Sequence, residues 1–296
     1  MCARYLVCVK HHYVPQFLLR RWTSAAGKLR VFAIRNGQLV CSERAPEYTG
    51  YENGLYAVMA NVFGFSQDVI ERKLFGPIDN DAAKVLEKLE RHETITEVEH
   101  IAWTFFLNSL RIRQPDTLEY LRTDGMNQLK RILSEQDKAT LPPDSPTTEQ
   151  WFNRYFPGAM EAKSLASWLP RLIAHDDVTR TFSELKWWIR EFAPTEIQLL
   201  LSDLPIHWEG GFNEAEFMIH LPIAPNRIIF GTRSKQTELI LKQMPAADLI
   251  GRVNLTTLAS SSQRIWASTQ DEAQAFIEAN VGSIGTNVIR FDLLAL

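Results

Sequence analysis

The hydrophobic pattern of this chain changes period twice, and this constrains the fold more than any other feature of the sequence. Within "KLRVFAIRNGQLVCSE" the apolar residues Leu29, Val31 and Ala33 alternate with others. Asn36-Gly37 then supplies a two-residue hairpin turn. From Ser66 the step lengthens: Val69, Ile70, Leu74, Ile78, Ala82, Val85, Leu86 and Leu89 recur every three or four residues. That is the spacing of a buried helix face, predicting one helix or two helices broken at Gly76-Pro77. From Glu184 the texture returns to short apolar runs, "LKWWIREFA", "EIQLLLSD" and "FMIHLPIAPNRIIFGTR". Strands and helices segregated in this way predict an α+β fold. It has an N-terminal β-hairpin, a helical middle and a β-rich C-terminal part, packed as one unit.

Local signals refine the order. Residues 3–9 are expected as a short strand, Pro15–Trp22 as a helical turn or two, and "GYENGLY" as a loop. Thr96 followed by Glu99 is a capping box, opening a helix that ends before Pro115. Another helix is expected from Asp116 to about Leu133. Shorter ones are expected at about 148–156, 160–174 and 180–184. Glu209-Gly210-Gly211 reads as a hairpin loop. A helix near 246–261, a strand at "RIWAS", a helix at "DEAQAFIEAN" and a strand near 287–293 complete the reading. The whole, 1–296, is expected to be a single domain. Sub-lobes at 1–135 and 148–296 would be joined by a Pro- and Ser-rich linker at about 134–147.

Composition excludes several classes. A chain of 296 residues, 45% hydrophobic, buries enough surface to fold without disulfides or a structural metal. The three cysteines, Cys2, Cys8 and Cys41, are odd in number and form no CxxC pair. This argues against a zinc ribbon or a secreted disulfide scaffold, and points to a reducing cytoplasm with Cys2 and Cys8 simply packed. No apolar run approaches the ~18 residues of a membrane span, and "MCARYLVCVK" is too short for a signal-peptide core. A membrane is therefore not an expected partner. The formal net charge of −3 gives no global pull toward nucleic acid. Arg20, Arg21, Lys28, Arg30 and Arg35 form a local basic cluster, which an ordinary solvated face also explains. GxGxxG, GxxxxGK[ST] and GxSxG motifs are absent.

Four ordered segments carry a resemblance. "HHYVPQFLLRRW" is similar to the opening signature of the bacterial DUF4238 family. "VIERKLFGPIDNDAAKVLEKL", "FLNSLRIRQP", and "KWWIREFAPTEIQLLLSDLPI" with "LPIAPNRIIF" resemble later segments of that family in order and spacing. The resemblance covers roughly 10–268 and implies a shared fold and a recurrent polar set, but no activity. Two departures stand out. The family often has Ser-Asp-Asn-Pro where this chain has Ser202-Asp203-Leu204-Pro205. It also often carries a Glu on the first long helix, where Asp79 and Asp81 occur here.

The signature segments bring forward one candidate site. His11, His12, Asp203 and Glu71 are the candidate bases or ligands, and Gln16, Arg20, Arg111, Arg113 and Ser202 the candidate substrate-binding groups. His and carboxylate side chains suit a divalent metal and the activation of water against a phosphodiester. Guanidinium forks suit phosphate oxygens, so nucleic acid or a phosphorylated ligand is the expected partner. Two readings stand. One is a hydrolase acting on phosphate esters or nucleic acid. The other is a non-catalytic binding or regulatory module, in which the same polar residues are structural. Adjacent histidines on an extended segment point opposite ways, so at most one of His11 and His12 serves a given site. They are not the i, i+4 pair of a helical zinc site.

Overall fold

In the computed structural model, residues 9–58, 66–193 and 198–286 are described. Residues 3–8 of the strand expected at 3–9, the strand expected at 287–293, and the packing of Cys2 and Cys8 lie outside them; Val9 is described and is not in a strand.

The signature segment opens as strand β1 (Lys10–His12), which pairs antiparallel with β4 (Tyr51–Asn53), His12 opposite Tyr51. The loop expected at Tyr51–Asn53 is therefore a strand. Three residues have no readable period, and their partner is distant in sequence. Pro15 then caps α1 (Gln16–Leu19), which passes into a 3-10 turn, Arg20–Trp22. The fixed φ of proline suits that position. Gly50 holds the segment in place. Its carbonyl accepts from the N–H of both Tyr13 (3.0 Å) and Val14 (3.2 Å). Its φ of +66° is open to glycine, and a Cβ there would meet Leu19 at 2.9 Å.

The hairpin forms as expected from β2 (Leu29–Arg35) and β3 (Gln38–Arg44). Asn36 (φ 52°) and Gly37 (φ 76°) are both left-handed, as a type I′ turn demands. Strands from the far end of the chain extend its sheet. β6 (Leu201–Ser202) and β10 (Ile265–Ala267) give the order β3-β2-β10-β6, antiparallel throughout. Among its described residues, "EIQLLLSD" thus contributes two to a strand.

The helical middle begins with a π turn, Glu71–Phe75, that runs directly into α2 (Gly76–Glu90). Gly76-Pro77 does not break the helix. Pro77 stands in the first turn of α2, where a missing N–H costs little. The capping box of α3 (Glu97–Ile112) is formed: Glu99 N–H donates to Thr96 Oγ1 (3.3 Å) and Thr96 N–H to the Glu99 carboxylate (2.8 Å). Next come α4 (Pro115–Tyr120), a second π turn (Leu121–Gly125) and α5 (Met126–Thr140). Helix therefore runs through the first half of the expected linker, leaving 141–147 as the connection. "SEQDKA" is made of residues a helix tolerates well. Asp137 accepts from the Thr148 N–H (2.8 Å), which ties the start of α6 (Thr148–Tyr155) to α5. Helices α7 (Ala159–Ile173) and α8 (Asp176–Ser183) close the middle part.

The third sheet has the order β5 (Lys186–Glu191), β9 (Arg227–Thr232), β8 (Met218–Ala224), β7 (His207–Glu209). Helix α9 (Lys235–Gln243) is an addition to the expected elements. Ser234 caps it by accepting from the Gln236 and Thr237 N–H groups. Helices α10 (Ala246–Ser260) and α11 (Asp271–Ala279) complete the α+β architecture. One large core joins all three parts: Trp22 and Tyr13 from the signature, Trp103 and Phe106 from α3, and Phe217 and Trp266 from the C-terminal part.

Candidate functional site

The signature segment reaches into every layer of the fold. Trp22 Nε1 donates to the Leu199 carbonyl (3.0 Å), and Arg21 pairs with Glu90, which also accepts from Arg227 (3.1 Å). The Tyr13 hydroxyl is held by the Arg264 guanidinium.

His11 and His12 turn to different neighbours, as their strand geometry requires. His11 lies parallel on the Tyr56 ring, with centroids 4.4 Å apart, and its Nδ1 accepts the Tyr56 N–H (3.1 Å). The neutral tautomer therefore carries its proton on Nε2. That atom is buried and has no partner among the described residues. His12 has the same tautomer for another reason: Nε2 faces the Pro46 carbonyl (3.3 Å), so the proton is there. Its Nδ1 meets the Gln16 amide at 3.5 Å, and Gln16 Oε1 accepts from Arg20 (3.0 Å). Burial lowers both histidines to about 4. For His11 the Asp68 carboxylate opposes this, and Arg122 and His12 add to it. For His12 the Pro46 carbonyl opposes it, and Lys10, Arg113 and Arg20 reinforce it.

Behind Tyr56 sits a cluster of ionisable groups. The Tyr56 hydroxyl donates to the His12 carbonyl (3.0 Å) and lies beside Glu71. Burial raises the Glu71 carboxyl, against the lowering effects of Tyr56 and Arg113, and Glu71 Oε2 has no partner among the described residues. Arg113 is 0% exposed and forms a two-pronged pair with Asp79, at 3.0 and 2.9 Å. The structure thus gathers His11, His12, Gln16, Arg20, Glu71 and Arg113 into one network. Tyr56 and Asp79 complete it. The sequence carries no signal for Tyr56. Asp79 is legible only as an acid near the position where the family often has Glu.

Asp203 and Ser202 belong to a second cluster. Asp203 accepts from Ser261 Oγ (3.3 Å), Ser262 N–H (3.0 Å), Ser262 Oγ (2.8 Å), Gln263 N–H (2.6 Å) and Arg264 N–H (3.2 Å). Both oxygens are thereby occupied in holding the turn before β10. Burial raises this carboxyl, and the donors around it pull the other way. Ser202 Oγ donates to the Leu204 carbonyl (3.0 Å). Arg111 is in a third place, on the face of α3 toward the C-terminal sheet. Its guanidinium lies over the Trp208 ring (4.3 Å) and bonds Asn108 Oδ1 (3.3 Å). Among the described residues no three His, Cys, Asp or Glu side chains are grouped to hold a metal ion.

A polar concavity lies beside Arg264, whose guanidinium also holds the Tyr13 hydroxyl. It is a cleft of about 650 Å³ lined by Arg35, Arg44, Tyr48, Tyr51, Glu52 and Arg264, among others. It forms where the β2–β3 hairpin faces β4. Of these residues only Arg35 stands out in the sequence, as part of the basic cluster. Arg44 and Arg264 are single arginines in unremarkable stretches that the topology brings together. Among the described residues, no helix is long and apolar enough to cross a membrane.

No curated protein and no solved structure matches the chain. A family model does, over residues 10–271, a span that includes each element that builds the histidine network. The chain belongs to the family described as Protein of unknown function (DUF4238).

Proposed function

We propose that this protein is a non-catalytic module that binds a phosphorylated ligand, a nucleotide phosphate either free or at the end of a single strand. The observation that carries this reading is the open cleft. Arg35, Arg44 and Arg264 line it beside Tyr48 and Tyr51, with Glu52 as the one carboxylate. Among the described residues none of the three guanidinium groups forms an ion pair. Guanidinium forks match phosphate oxygens, and tyrosine rings offer a face to a base. The buried histidine network supports the wall of the cleft, because β1 and β4 are paired and Tyr51 stands opposite His12. Three cysteines without a pairing pattern support a reducing, cytoplasmic setting.

Calorimetric titration with adenosine monophosphate, a short oligothymidylate and inorganic phosphate tests this reading. Binding is expected for at least one nucleotide probe, weakening as salt is raised. Arg44 is exposed on β3, so Arg44→Ala leaves the fold intact and weakens binding about ten- to a hundredfold, the size of one charge-assisted contact. Absence of binding for all three probes, or affinity unchanged from the parent chain in both Arg44→Ala and Arg35→Ala, rejects the reading.

Hydrolysis of a phosphate ester is the second reading, with His11 or His12 and Glu71 as base or ligand and Arg113 as anion clamp. It rests on His11 Nε2 and Glu71 Oε2, which lack partners among the described residues. Against it, His11 is 0% exposed and the Asp203 oxygens already hold a turn. In a metal-supplemented screen of nucleic acids and phosphodiesters, no turnover is expected above that of a His11→Ala/His12→Ala variant. Turnover that the double variant loses would replace the binding reading with this one.

A further inference from the structure

Most outer strands of the described sheets are poor templates for another strand. β1, β4 and β7 have three residues each, and β6 has two. β5 is longer, but Lys186, Arg190 and Glu191 place charge along it. Shortness and charge are common ways in which a sheet edge avoids pairing. β3, the outer strand of the hairpin, has little of either. It is seven residues long, pairs with β2 without a bulge, and is uncharged from Gln38 to Ser42. Glu43 and Arg44 add charge only at its far end. All of its residues are exposed except Leu39, which is half-buried, so the strand is open along its length.

The hairpin decides which backbone groups of β3 are free. Arg35 and Gln38 flank a two-residue turn and exchange both of their bonds. Gln38, Val40, Ser42 and Arg44 therefore turn their N–H and C=O groups toward β2. Those of Leu39, Cys41 and Glu43 point outward, and they have no hydrogen-bond partner among the described residues.

A second β3 running antiparallel matches this row. With Cys41 opposite Cys41 of another copy, Leu39 meets Glu43, Val40 meets Ser42 and Gln38 meets Arg44. In this register all three outward residues of each copy pair with one another, and no like charges are opposed. Centring the pair on Glu43 would instead set two glutamates against each other. We propose that β3 is a self-association edge, at which two copies of this chain join antiparallel about Cys41. The two four-stranded sheets then form one sheet of eight strands.

Sedimentation of the full-length chain under reducing conditions, over a dilution series, tests this. A monomer–dimer equilibrium is expected. Cys41→Lys and Cys41→Glu each set like charges opposite one another at the centre, and each weakens dimerisation about five- to tenfold. An equimolar mixture of the two variants restores it, which misfolding of either would not allow. Cys41→Pro abolishes dimerisation, because it removes the central outward N–H and leaves the bonds to β2 in place. If Cys41→Pro does not fold, the Lys and Glu variants decide alone. A parent chain that is monomeric throughout overturns the proposal. So does a dimer that Cys41→Lys leaves unchanged, or a mixture that associates no better than its components. A dimer that forms only after residues 287–296 are removed overturns it too, and assigns the edge to the chain's own C-terminal residues.

Discussion

Lowering the pH from 6.5 to 4 is expected to destabilise this protein strongly. His11, His12 and His220 are each held at about 4 when folded, against 6.5 in an exposed chain. Between those values the unfolded chain binds protons that the folded chain refuses, so stability falls as pH falls. Above 6.5 the histidines are neutral in both states and their contribution is complete. It is lost progressively through the window and is gone once the pH passes below 4. A shift of this size corresponds to on the order of 3 kcal/mol for each histidine. Half that amount, summed over the three, approaches the whole stability of an ordinary domain. Glu71 and Asp203 are shifted upward, which opposes the trend: the folded state favours their protonated forms. Urea unfolding followed by tryptophan fluorescence at pH 7 and pH 5 measures the difference. His220→Phe flattens the pH slope if the assignment is right. Equal stability at the two values would show that the rings take up protons in place.

Asp79→Ala costs about 3–5 kcal/mol, the loss expected when a buried charge is stripped of its partner. Arg113 is 0% exposed, between the Phe75 and Phe106 rings, and cannot shed its proton or turn to water. The reverse change is milder. Arg113→Met leaves an Asp79 side chain that is 21% exposed and can be hydrated. Glu71 softens the first loss. Arg113 already pulls on its carboxyl, and with Asp79 gone Glu71 ionises beside the guanidinium. A double-mutant cycle therefore has a definite sign. Glu71→Gln costs more in the Asp79→Ala background than in the parent chain, read from denaturation midpoints. Additive losses would mean that the two carboxylates act independently.

How legible each feature is in the sequence depends on how local its cause is. Asn36-Gly37 specifies its own turn, and Thr96 and Glu99 close their capping box within four residues, so both can be read directly. The fold class rests on such signals, and its three segregated parts are those observed. β4 escapes because its cause is a partner about 40 residues upstream. α9 escapes because its one local signal, Ser234, precedes only a short apolar stripe. The polar residues show the same division. Ordered motifs mark His11, Glu71, Arg113 and Asp203 as notable, but not their partners. Asp203 occupies itself with donors about 60 residues away, and no spacing rule connects it to Ser262 or Gln263. Arg44 and Arg264 meet only because β10 lies next to the hairpin.

The π turn at Glu71–Phe75 has a consequence for angular phase. In an unbroken α-helix eight residues make about 2.2 turns, leaving the first and last side chains about 80° apart around the axis. A π turn takes up one extra residue, so eight steps wrap like seven and the offset falls to about 20°. Glu71 and Asp79 thereby come onto one face and flank the same guanidinium. The irregular turn acts as a rotary spacer. It converts a spacing that would splay two carboxylates into one that closes them on a single cation, and removing one residue from it would swing Glu71 away from Arg113.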